Sequence, residues 1–474
     1  MTNDSVRTAQ LGNDIFASAP AAAETFPQAA MTEEPWPRPA QAWYAVVIFA
    51  LSLLVNMLDR GILTLLVEPI KRDLHLTDFQ ISLIMGFAFV LFYLGLGLPI
   101  ARLVDFKSRR KIIAIGVSIW SFMTAACGLA RSFLQLFFCR VAVGSGEACT
   151  GPATFSMLAD LFPPEKLSRA IAVLNFGFYA GTGLALMIGG TLTQVFASLP
   201  PMTLPVLGTI RGWQLTFFVV GLPGLIVAAL MGTVREPKRR GVAAQNLSGA
   251  PLKPLPVKAV VRYMGNHAST YLPMFVGMGV QAVMMFGIAS WGPAFYIRTF
   301  HWTPAKFGFV QGIIAFTVMP LGSIVGSLIA EHFARKGYND ANMRAVLLGS
   351  ILPVPGYILF PLMPSAFWAV AISVYALFVA SFVGGPINAA LQSITPNQMR
   401  GQITALFLLV FNVVGYGLGP TIVALFTDMV FHSEAQLGRS MAATVAILAP
   451  IGILMMWLAL EPYGRSFAES RSWS

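Results

Sequence analysis

Charge is what this chain has least of. Asp, Glu, Lys and Arg make up 11% of its 474 residues, where a soluble protein carries about 25%, and that excludes a solvated globular domain. Cysteine is scarcer still: Cys127, Cys139 and Cys149 all fall inside apolar runs, with no metal spacing and no paired framework, so they read as packing residues. The five histidines are scattered near the ends of apolar runs, and no metal centre or cofactor is expected from them. There is no Gly-x-x-x-x-Gly-Lys-Ser/Thr loop, which argues against ATP-driven transport. No nucleophile and base converge, so the chain does not read as an enzyme. The first 40 residues lack a basic segment followed by an apolar core; rich in Ala and Pro, they read as a disordered tail and not a signal peptide.

What the chain has instead is apolar length. It is 56% hydrophobic with a mean hydropathy of +0.71, and runs near 20 residues are long enough to cross a bilayer. Twelve spans are expected: Trp43–Val67, Phe79–Val104, Lys111–Ala130, Phe133–Leu161, Arg169–Phe196 and Trp213–Thr233, then Ala268–Thr299, Ala305–Ala334, Met343–Met363, Ala366–Ile394, Gly401–Asp428 and Ser440–Leu460. The expected organisation is a cytoplasmic tail (1–40), a six-helix bundle (41–234), a Pro- and Gly-punctuated cytoplasmic linker (235–265), a second six-helix bundle (266–461) and a short cytoplasmic tail (462–474). The net charge of +11 does not point to nucleic acid, because the basic residues sit in short loops. With both termini inside, inner segments together with the span ends beside them hold 22 Lys/Arg and the outer ones 7, which sets an N-in/C-in orientation. The reading is an all-α, multi-pass protein of the cell membrane (the inner membrane in a bacterium), monomeric, with the bilayer as its surroundings.

Four charges break the apolar runs. Span 1 carries Asp59 and Arg60; span 4 carries Arg140 and Glu147. The last two are seven residues apart, almost two turns, so they share a helix face about 10 Å apart along the axis. A charge near the bilayer centre costs a few kcal/mol or more unless it faces a partner or a wet cavity. Two readings stand. The four could form an internal salt-bridge network of two acids and two bases. Alternatively, Asp59 and Glu147 are proton-coupling sites, since a half-solvated carboxylate near arginines changes protonation when its surroundings change. Arg60 and Arg140 are then anion anchors, a planar guanidinium being suited to phosphate or carboxylate.

The second half has almost no central charge. It offers Gln281, Phe286, Asn388, Asn412 and Tyr416 as candidate cavity residues, the amides because they prefer a wet or paired site to lipid. A cavity charged on one wall and aromatic on the other suits an amphiphile, its head on the arginines and its tail on the second half.

The loop after span 2, Ala101-Arg-Leu-Val-Asp105-Phe-Lys-Ser108-Arg109-Arg110, is echoed after span 8 by Ser327-Leu-Ile-Ala-Glu331-His-Phe-Ala334-Arg335-Lys336. Both read small-x-apolar-x-acid-x-x-small-base-base. Paired six-span halves with this loop resemble the major facilitator superfamily, whose substrate site lies between the halves. That resemblance implies gating roles for Asp105, Arg109, Arg110, Glu331 and Arg335, although Ala101, Ser108 and Phe106 depart from the usual loop. Asn56-x-x-Asp59-Arg60, Arg140-x-x-x-Gly144-x-Gly146-Glu147-Ala148, Ala159-Asp160-Leu-Phe-Pro163, Gly212-Trp213-Gln214 and Val234-Arg235-Glu236-Pro237 resemble the spinster branch. The branch resemblance implies a secondary transporter of lysophospholipids or sphingoid phosphates, linked to protons. Organic-anion symporters also carry Asn-x-x-Asp-Arg in span 1, so a carrier of small organic anions or drugs is the alternative.

Overall fold

The computed structural model describes residues 36–470, apart from 92–94, 96–98, 101–102, 105–106, 206–207, 240–256 and 397–398. Pro37–Ser474 forms one compact unit, and the expected tail over 1–40 falls almost wholly outside the described residues.

The apolar runs become helices. They are α1 (Pro39–Leu65), the short α2 (Val67–Leu74), α3 (Asp78–Leu91), α4 (Arg109–Cys127), α5 (Phe133–Glu147), α6 (Thr150–Leu161), α7 (Pro164–Ala197) and α8 (Gly212–Thr233). After the linker come α9 (Val257–Asn266), α10 (Ala268–Phe300), α11 (Pro304–Arg335), α12 (Ala341–Leu362), α13 (Ala366–Ser393), α14 (Arg400–Val430) and α15 (Leu437–Ser470). Among the described residues, ten helices are long and apolar enough to cross a membrane.

The two remaining expected spans differ from simple rods. Span 2 starts as α3 and runs partly outside the described residues. It contains a π-helical turn at Leu83–Phe87. Span 4 is two helices, because α5 stops at Glu147 and α6 restarts at Thr150. The pinch is steric: a Cβ on Gly144 would lie 2.3 Å from the Phe89 carbonyl oxygen, and one on Gly146 would lie 2.6 Å from that of Gly116. Neighbouring backbones therefore press on both sides of the turn that ends α5.

Three further departures appear outside the spans. An antiparallel hairpin, β1 (Met202–Leu204) with β2 (Gly208–Ile210), pairs Thr203 with Thr209 between α7 and α8. The end of the expected linker is helical, as α9, with Val260 buried against Tyr271 and Phe275. The last helix runs to Ser470, ten residues beyond the expected span, because its buried residues extend to Tyr463.

Helices from the two halves meet along two seams. On one, a Cβ at Gly86 of α3 would lie 2.0 Å from the Tyr416 carbonyl oxygen of α14. On the other, a Cβ at Gly190 of α7 would lie 2.4 Å from the Pro304 carbonyl oxygen, and one at Gly308 of α11 would lie 2.1 Å from that of Leu186. Only glycine allows backbones this close.

Candidate functional site

The four intramembrane charges come together, crosswise. Arg140 of α5 donates through Nη1 to both Asp59 carboxylate oxygens at 3.3 Å. Thr124 of α4 donates its hydroxyl to Asp59 Oδ1 at 2.8 Å. Arg60 takes the other acid: its Nε and Nη2 reach Glu147 Oε2 at 2.8 and 2.6 Å. Adjacent residues on α1 point about 100° apart, which is how Asp59 and Arg60 reach two different partners on α5.

The two pairs are not equivalent. The Asp59 and Arg140 side chains are each 2% exposed, so the pair is enclosed at both ends. Glu147 is equally buried, at 1%, but Arg60 is 20% exposed. Arg140, expected as an anion anchor, is enclosed in this conformation. Its guanidinium lies against Asp59, with Nε lacking a hydrogen-bond partner among the described residues. Glu147 also has one carboxylate oxygen, Oε1, buried without a partner among them.

Aromatic rings frame Arg60. Its guanidinium lies 4.5 Å from the Phe89 ring centroid and 5.2 Å from that of Tyr416, positions at which a cation is attracted to the ring face. Tyr416 stacks on Phe286 at 3.7 Å, and Phe286 meets Phe411 at 5.8 Å. The cation of the first half is thus the head of an aromatic wall that belongs mainly to the second half.

The other second-half candidates scatter. Asn412 lies one turn from Tyr416 on the same side of α14, its amide nitrogen donating to the Leu408 carbonyl at 2.8 Å. Asn388 is exposed, and its amide bonds back to Gly384 at 2.9 Å. Gln281 is not brought to the Arg60 group: it donates to the Gly349 carbonyl and accepts from the Ser350 hydroxyl at 2.8 Å, which ties α10 to α12.

The loop motif after span 2 is assembled around Arg109, which is 1% exposed. Arg109 Nε bonds Glu236 Oε1 at 3.0 Å, Nη1 reaches Asp160 and Ser156, and Nη2 donates to the Pro237 carbonyl at 2.7 Å. Glu236 also caps α4, accepting from the Arg109 and Arg110 backbone N–H groups at 3.1 and 2.8 Å and from the Ser108 hydroxyl at 2.7 Å. Burial alone would raise the Glu236 carboxyl. Hydrogen bonds from Ser108, the Arg110 backbone and Arg109 outweigh it and hold the group below its ordinary range. Arg110 itself donates to the Gly232 and Val234 carbonyls at 3.2 Å. Asp105 lies outside the described residues.

The copy in the second half is not built this way. Glu331 and Arg335 are exposed, and among the described residues no ion pair joins either to a partner. The sequence repeat is therefore a repeat of pattern, with the buried acceptor Asp160 and the partly exposed Glu236 serving only the first half.

Three groups were missed by reading the sequence alone. Phe89 and Thr124 gave no signal in an apolar run. Asp160 and Glu236 stood in quoted motifs without an assigned partner. A set of ion pairs at the far ends of the spans, around Asp78 and Arg298, looked like ordinary loop charge.

A family model described as Major Facilitator Superfamily matches residues 49–420. The chain belongs to the major facilitator superfamily. Its relatives within the superfamily include an MFS-type efflux pump of Mycolicibacterium smegmatis, 27% identical over 94% of this chain and 99% of that protein. Protein spinster homolog 1 of Xenopus tropicalis is 24% identical over 86% of this chain and 78% of its own length. The fold matches a solved bacterial homolog of the human lysosomal transporter spinster, described as inward-facing and unoccupied, with a TM-score of 0.74 at 24% identity, covering 92% of this chain and 99% of that one. The superfamily's members are membrane transporters, not enzymes, and this chain resembles their spinster branch.

Proposed function

We propose that this protein is a proton-coupled secondary transporter that moves an anionic or zwitterionic single-chain amphiphile, of the lysophospholipid or sphingoid-phosphate kind, by alternating access. The observation that carries the reading is Arg60: the one partly exposed member of the buried charge set, held by Glu147 and framed by Phe89, Tyr416 and Phe286. An anionic headgroup that engages Arg60 competes with Glu147 for the same guanidinium. A carboxylate left at that depth without its cation is too costly to stay charged and takes a proton instead. Substrate and proton then occupy the carrier together, while Asp59 stays with Arg140 and Thr124 as the second coupling acid, reached only when α5 shifts. The aromatic wall accepts the chain that follows the head. Seams on the α3/α14 and α7/α11 contacts, with the Asp78–Arg298 ion pairs, support a state closed on the outer side in the N-in/C-in orientation.

The efflux-pump relative and the buried charge set favour a second reading, a proton-coupled symporter or exporter of small organic anions or drugs. The two separate by competition in reconstituted vesicles. Transport of the amphiphile class predicts saturable movement of a lysolipid that water-soluble carboxylic acids do not inhibit. The reverse pattern overturns the amphiphile assignment.

A further inference from the structure

The structure points to a second ionic device, remote from Arg60, and we propose that it is the outer gate: a clasp whose ion pairs exchange partners as the halves separate. It involves five charged side chains. Glu68 and Lys71 of α2 and Asp78 at the start of α3 come from the first half. Arg298 near the end of α10 and Glu434 before α15 come from the second.

Arg298 reaches across the halves. It grips both Asp78 carboxylate oxygens, through Nη1 at 2.7 Å and Nη2 at 2.8 Å, and Glu68 through Nε at 2.6 Å. Lys71 reaches across in the other direction to Glu434 at 2.9 Å. Asp78 is fully buried, Lys71 is 6% exposed and Arg298 10%, so the centre of the clasp is dry. The Phe79 backbone N–H, one residue on, donates to Asp428 of the second half at 2.8 Å and adds a further strut.

The pairs within each half give the arrangement its meaning. Lys71 also pairs with Asp78 inside the first half, and Arg298 lies 3.7 Å from Glu434 inside the second. When the halves part, Asp78 loses Arg298 but keeps Lys71, and Arg298 loses Asp78 and Glu68 but keeps Glu434. A buried pair that is broken outright leaves an uncompensated charge. Here each side retains a counter-ion, which lowers the barrier to opening. A static brace has no use for such spare partners; a gate that must open and reclose does.

The clasp predicts opposite signs for two charge removals. Arg298→Gln deletes the cross-half grip and favours opening. Lys71→Met deletes the partner that Asp78 needs once Arg298 has left, and so favours closure. The same substitution removes the Lys71–Glu434 pair, which is worth little, since Glu434 is 57% exposed.

The test rests on the alternating-access reading but needs no substrate. Spin labels at Leu199→Cys and Ala435→Cys, exposed positions in the outer segments of the two halves, are read as pulsed-EPR distances in nanodiscs, with the three native cysteines replaced by serine. Arg298→Gln is expected to raise the ratio of long to short distances by about tenfold or more, and Glu68→Gln by less. Lys71→Met, read in the Glu68→Gln background where the open population is larger, is expected to lower it. Arg298→Lys, which keeps the charge, serves as a folded control and shifts least. Unchanged distances in Arg298→Gln, or a shift of the same sign in Lys71→Met, would overturn the clasp. Loss of lysolipid movement with the expected distance shifts intact would count against the substrate assignment and leave the gate standing.

Discussion

Removing Arg60 exposes the logic of the buried charge set. Its guanidinium makes two charge-assisted bonds to one oxygen of Glu147 and faces two aromatic rings. Arg60→Gln leaves a carboxylate that is 1% exposed without its cation, a loss of about 3–5 kcal/mol for a buried pair broken on one side. The two ring contacts add about 0.5–1 kcal/mol each. Glu147→Gln costs less, because Arg60 is 20% exposed and keeps its rings and a share of water. In the double variant no buried charge is stranded, so it should be more stable than Arg60→Gln alone, with a coupling of about 2 kcal/mol or more. Unfolding of the purified protein in mixed micelles, followed over the four members of the cycle, measures this directly. Additivity within about 0.5 kcal/mol would refute the claim that Glu147 depends on Arg60.

Other consequences follow from the same geometry. Gly86→Ala places a Cβ 2.0 Å from the Tyr416 carbonyl oxygen, so α3 and α14 cannot close; cysteine-accessibility labelling from the outer side should rise and transport should fall. Arg109→Ala strands buried Asp160 together with Glu236 and should cost about 3–5 kcal/mol, whereas Arg335→Ala, at an exposed site, should stay within about 0.5 kcal/mol; equal losses by thermal unfolding would mean that the second-half loop is braced after all. Glu236 has a depressed folded pKa, so its contribution is present above its ordinary value of 4.5 and is lost as pH falls below that toward the folded value. Glu236→Gln should therefore be less stable than the parent at neutral pH and should flatten the acid limb of a Tm-versus-pH curve, an effect absent if the carboxylate is not bonded.

The spans were legible because a bilayer demands about 20 apolar residues of each, and ten of the expected twelve run as long helices, with ends shifted by a few residues except at the last, which runs ten further. The break after Glu147 was not, since it depends on Phe89 and Gly116 pressing from other helices. The four intramembrane charges stood out by their cost in lipid, yet their crossed pairing did not, because it requires the rotation of α1 against α5. That rotation is what sets Arg140 against Asp59 and Arg60 against Glu147. Gln281 shows the same limit: an amide in a span wants a polar partner, and the sequence cannot say whether that partner is a cavity or Gly349 and Ser350 of the next helix. The outer clasp escaped notice for the opposite reason. Charges at span ends are ordinary in sequence, and only the fold brings Glu68, Asp78, Arg298 and Glu434 to one place.

In the proposed mechanism an anionic head and a proton meet at Arg60 and Glu147. That meeting is tested most directly by proteoliposomes loaded with a fluorescent lysolipid and held at a defined pH difference. The parent protein should move the lipid against its concentration with the proton gradient. Glu147→Gln should lose the gradient-driven component while retaining exchange of lipid at equal pH. Gradient-driven movement that survives Glu147→Gln at the parent rate, or lipid movement indifferent to the gradient in both proteins, would contradict it.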